Sequence, residues 1–188
     1  MKRIVIFSLI ALLSACASNK TASQQEIDQR NQALRSDIEL SIAEFKRADS
    51  TMQALFDSAH GYAVFPRVSK GGLVLGGSYG HGQVFQGGSV IGEASITKIS
   101  VGLQAGGQVF REIIFFENPQ TLTRFKGGAF ALSAEATAAA AADGVGASAD
   151  YAEGVTVIVM PIKGLMFEAA IGGQKFNYHP APASVQLN

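Results

Sequence analysis

Apolar residues at Ile27, Leu34, Ile38, Ile42, Phe45, Met52 and Phe56 recur at sevens, fours and threes, which is one stripe of an amphipathic helix. Arg30, Asp37, Glu44 and Arg47 fall off the stripe and give the other face to solvent. Ser50-Thr51 offers a second helix start, so two helices are expected between about 26 and 59. The stripe can pack on the protein's own sheet or dip into a lipid headgroup layer. With four basic and six acidic residues between Glu26 and Asp49, packing on the sheet is the favoured reading.

Past His60 the pattern changes to β. Tyr62–Phe65 reads as a short strand ended by Pro66, and Gly71–Phe85 as one or two glycine-rich strands. Gly87-Gly88 signals a hairpin turn. Val90–Ala94, Ile99–Ala105 (with period 2) and Arg111–Phe116 continue the series. Asn118-Pro119 starts a short helix, capped by the asparagine and stopped by Gly127-Gly128. Phe130–Asp143 is alanine-rich and helical by propensity, yet Thr156–Met160 beyond it is strand-like. Gly164–Gly173 and Lys175–Tyr178 finish the sheet, and His179–Asn188 is expected to be unstructured. The fold class is α+β: N-terminal amphipathic helices on a curved, largely antiparallel, glycine-rich sheet of seven to nine strands.

The first residues read differently. Lys2-Arg3 precedes an apolar run, Ile4–Leu13, that falls short of the roughly 20 residues a spanning helix needs. It reads as a cleavable export signal. Leu13-Ser14-Ala15-Cys16 resembles the lipobox of bacterial lipoproteins, which implies that Cys16 becomes an acylated mature N-terminus. A signal peptide with a chance cysteine is the alternative. The implied layout is a signal peptide over 1–15, a lipidated tether over 16–25, a domain over 26–178 and a tail over 179–188. Ala17 follows where aspartate favours inner-membrane retention in enterobacterial lipoproteins, so the expected place is the outer membrane, facing the periplasm.

Composition narrows the partners. Fifteen Lys+Arg balance fifteen Asp+Glu, and losing Lys2 and Arg3 leaves a mature charge of −2, so nucleic acid is not expected. One cysteine excludes a disulfide scaffold and a cysteine-based zinc site. His60, His81 and His179 are far apart, with no carboxylate at a metal-motif spacing. There is no Gly-x-Ser-x-Gly elbow, dinucleotide fingerprint or P-loop. Glu93, Glu112, Glu135 and Glu168 lie in strand segments, and nothing in the sequence brings two of them together. No catalysis, cofactor or metal is expected.

A lysine beside glycine recurs at Lys70-Gly71, Lys126-Gly127 and Lys163-Gly164, each read as a turn before a strand. Surface turns account for this pattern. If the turns cluster at one end of the sheet, then with Arg67 they offer cationic groups and bare backbone N–H groups to a phosphate.

Leu55–Phe65, with Ala59-His60-Gly61-Tyr62-Ala63-Val64-Phe65, resembles the opening of the SYLF domain. Lys70–Gly77, Phe125-Lys126-Gly127-Gly128 and Lys163-Gly164-Leu165-Met166-Phe167 resemble its later motifs in order and spacing, over about 26–178. The resemblance implies that Phe130–Ala140 is a strand of small residues. Eukaryotic SYLF domains bind phosphoinositides and, in yeast relatives, actin filaments, while bacterial members are mostly lipoproteins described as lipid-binding. The acidic N-terminal helix departs from the eukaryotic pattern.

The expected function is therefore non-catalytic binding of anionic phospholipid headgroups, with Arg67, Lys70, Lys126 and Lys163 as the binding residues. The alternative is an envelope scaffold that binds a protein, actin-like recognition then requiring a host partner. A small transmembrane β-barrel is a third reading of the glycine-rich strands.

Overall fold

The computed structural model describes residues 2–128, 131–132, 138–140 and 153–181. Residues 1–37 and 38–188 form two compact units. In the first, helix α1 (Lys2–Ala48) begins, and it continues through Asn19–Gln25, where a tether was expected. The alanine, lysine and glutamines there are good helix formers. Among the described residues no helix is long and apolar enough to cross a membrane.

In the second unit, the end of α1 and helix α2 (Met52–Ser58) cover one face of the sheet. Ile38, Phe45, Met52 and Leu55 are buried, and Phe56 meets Tyr62 and Phe115 edge-on with ring centroids 5.0 Å away in each case. The Arg111 guanidinium pairs with Glu44 at 2.8 Å and donates to Ser41 Oγ at 3.2 Å, tying α1 to the sheet. Thr51 does not cap α2 through its own side chain; its N–H and hydroxyl donate to the Asp49 carboxylate instead.

The described residues form six strands: β1 (Gly61–Gly72), β2 (Leu75–Gln86), β3 (Ser89–Phe116), β4 (Ala131–Leu132), β5 (Ala138–Ala140) and β6 (Val155–Pro180). Among the described residues this is fewer than the seven to nine expected, because β3 and β6 each run through glycines read as strand ends. β3 pairs with β2 through residue 101 and with β1 from residue 106, so it turns from one strand of the hairpin to the other. Gly106, at φ 121°, lies at that transfer, in backbone territory that side chains disfavour. Pro66 does not end β1 either. It sits in the register shift between Val64 and Arg67, where a proline's missing N–H breaks no ladder bond; in β6, Pro161 pairs with Phe110 and borders a shift that skips Ile162. β6 also takes in His179 and Pro180, expected in the tail.

Local signals hold where they are local. Gly87 and Gly88, at φ 57° and 79°, make the two-residue turn between β2 and β3. The Asn118 side chain accepts from the Thr121 N–H at 3.0 Å and starts helix α3 (Pro119–Lys126). Within Phe130–Ala140, residues 131–132 and 138–140 are strand, pairing with β6 antiparallel and parallel respectively; the rest lies outside the described residues.

The inner face of the sheet carries the main core: Ala63, Phe65, Val68, Val84, Ile96, Ile114, Phe116, Val157 and Phe176, closed by Leu122 and Phe125 of α3. Phe65 and Phe176 come from strands that are not neighbours, yet their rings lie 5.9 Å apart, so the sheet curls over its own inner face.

Candidate functional site

Residues opposite each other in a β-ladder project to one face, and the next row projects to the other. One row runs Lys175–Thr97–Tyr79–Ser69–Val109–Lys163 across the sheet. It therefore puts Lys175, Tyr79 and Lys163 on the helix-bearing side, beyond the stretch that α1 and α2 cover. The adjacent row runs Gln174–Lys98–Ser78–Lys70–Gln108–Gly164, which puts Lys98 and Lys70 on the inner side at nearly the same level. Four lysines thus ring the sheet at one height. Lys163 and Lys175 are exposed, and Lys70 and Lys98 are half-buried.

Arg67 is exposed and pairs with His81, one same-face step nearer the helices. The Tyr79 hydroxyl and His81 Nε2 are hydrogen-bonded at 2.5 Å, and their rings meet edge-on. Lys126 is not in these rows. It ends α3 and lines an open cleft of about 480 Å³ with Ser95, Gly127, Gly128, Asn177, Tyr178 and His179.

Of the expected binding residues, then, Arg67, Lys70 and Lys163 lie in or beside these rows and Lys126 lies in its own cleft. Lys70 and Lys163 are strand residues and not turn residues, because Gly71, Gly72 and Gly164 continue their ladders. Lys98, Lys175 and Tyr79 were missed, since only the pairing register reveals them.

Beyond the lysine rows, the large exposed side chains among the described residues are aliphatic. Leu75 pairs with Val101, and Ile99 pairs with Gly77, on the Tyr79 face. Leu73, Leu75, Ile99 and Val101 are 57–71% exposed, values typical of surface polar residues rather than of large aliphatic ones.

The inner face holds a different polar group. Glu112 is buried among core residues, opposite Phe65 in the ladder, and accepts from Gln174 Nε2 at 2.7 Å. Burial pushes its carboxyl up to about 7, against the opposing effects of the Gln174 hydrogen bond and the Lys98 charge. Among the described residues there is no cluster of three or more side chains able to hold a metal ion.

Residues 97–180 match the family model Ysc84, described as a Las17-binding protein actin regulator. The Ysc84 match begins at Thr97, inside the lysine rows, and ends at Pro180, the last residue of β6. It takes in Lys98, Lys163 and Lys175, while Arg67 and Lys70 lie before it. No curated protein matches the chain.

Proposed function

We propose that this protein binds anionic phospholipid membranes without catalysis, through the cationic band across its sheet. The observation that carries the reading is the pair of adjacent rows that place Lys70, Lys98, Lys163 and Lys175 at one level, with Arg67 beside them. Lysines spread around a rim suit a surface of many phosphates better than one enclosed headgroup. Lys126 serves as a separate, secondary contact in its cleft. Cys16, acylated, holds the chain to the outer membrane of the envelope and keeps the domain close to headgroups; Leu13-Ser14-Ala15-Cys16 supports that part.

The test is sedimentation of residues 17–188 with vesicles of graded phosphatidylglycerol content. Binding is expected to rise with anionic lipid and weaken in salt, because exposed charges are screened over roughly 8–10 Å at physiological ionic strength. Changing the two exposed lysines, Lys163 and Lys175, to glutamate is expected to reduce it at least tenfold with the fold intact by circular dichroism. Unchanged binding by that variant sinks the reading. The description of the Ysc84 family as a Las17-binding actin regulator supports a second reading, a protein-interaction role in the envelope. Salt-insensitive capture of one envelope protein, without vesicle binding, distinguishes it.

A further inference from the structure

The lysine rows divide the sheet into two chemically different parts. On the helix side of the rows lie Arg67, His81 and Glu93, all exposed. On the far side the chain consists of residues 71–77, 99–107 and 164–173, three segments that the ladders hold together. Glu168 is the only charged residue in them; its register partner is Gln104, three residues past Val101, so the Leu75–Val101 row itself carries no charge. Among the described residues, Leu73, Leu75, Ile99 and Val101 form an exposed apolar cap, and Tyr79, 53% exposed, stands at its border beside the cations.

That order, apolar cap, then an aromatic with a polar tip, then lysines, is the order of chemistry met on leaving a bilayer: acyl chains, interface, phosphates. We propose that the cap inserts into the acyl region of an anionic bilayer, seating Tyr79 at the interface and the lysines among the phosphates. This rests on the membrane-binding reading above and adds depth and orientation to it. From the Tyr79–Thr97 row to the Leu75–Val101 row is four residues, about 13 Å along the strand at 3.3 Å per residue, long enough for the 5–10 Å typical of interfacial insertion. A protein partner, or a second copy of the chain, would also cover apolar side chains. The encircling cations at one height select the bilayer, since a second copy would bring like charges together around the contact.

The chain has no tryptophan, so a single one reports its own surroundings. Leu73→Trp places it in the cap, and Ser89→Trp places it at the start of β3, beside the turn at the opposite end of β2. Each full-length variant is mixed with vesicles of phosphatidylglycerol and phosphatidylcholine, with and without brominated acyl chains. For Leu73→Trp the expected result is a blue shift on the order of 10 nm and at least twofold quenching by brominated chains, with Ser89→Trp unchanged. A bound Leu73→Trp protein with unshifted, unquenched emission overturns the insertion while leaving lysine-dependent surface binding in place. Quenching that is equal on neutral vesicles and survives the lysine-to-glutamate changes upholds insertion and sinks the electrostatic reading. A concentration-dependent blue shift without vesicles assigns the cap to a second copy and overturns the proposal.

Discussion

Replacing Phe176 by alanine is expected to destabilise the protein by about 3–5 kcal/mol. Phe176 is fully buried on the far part of β6, with its ring 5.9 Å from Phe65 of β1 and 5.1 Å from Phe125 of α3. It thus joins three elements, and the curl of the sheet depends on that junction. Truncation removes the apolar area and leaves a cavity that strands held in continuous ladders cannot move to fill. For a chain of this length the melting midpoint is expected to fall by roughly 10 °C. Ile99→Ala, at an equally apolar but 68% exposed position, is expected to change stability by no more than about 0.5 kcal/mol. Thermal unfolding followed by circular dichroism compares the two. Equal losses for both variants contradict the division into an inner core and an exposed cap.

That division also explains what was legible in the sequence. Asn118-Pro119 and Gly87-Gly88 act on their own neighbours, so the short helix and the hairpin turn are readable from a few residues. The lysines are a different case. Lys98 and Lys175 stand among strand residues with nothing to distinguish them, and they meet Lys70 and Lys163 only through two rows that span five strand crossings. Register is a long-range property, set in part by the bulge at Pro66, which reads as a strand end, and by the shift at Ile162. The exposed cap was hidden for a related reason. Alternation marks a half-buried strand, but it does not say which length of the strand the helices cover. Arg111 and Glu112 show the same limit: both faces are covered there, so adjacent charged residues point to opposite faces and are both largely buried.

Glu112→Gln is expected to stabilise the protein above neutral pH and to leave it unchanged in acid. The native carboxyl titrates near 7, raised from 4.5 chiefly by burial, so folding favours the protonated form. Below pH 4.5 the group is protonated in both states and adds no pH dependence. Between 4.5 and 7 the native state keeps a proton that the unfolded chain has released, so stability falls as pH rises. Above 7 both states are ionised and the loss is complete, at about 3 kcal/mol for a shift of this size. Glutamine has the same shape and keeps an oxygen to accept from Gln174 Nε2, but it carries no charge to desolvate. The variant is therefore expected to lose this downward slope and to unfold at a higher urea midpoint than the parent at pH 8. Lys98 opposes the effect, since its charge favours the carboxylate, and Lys98→Met is expected to steepen the parent's decline. Urea titrations from pH 4 to pH 9 measure all three proteins. Parallel profiles for the parent and Glu112→Gln mean that water or a rearranged Lys98 solvates the carboxylate, and that the inner face is wetter than its packing of phenylalanines implies.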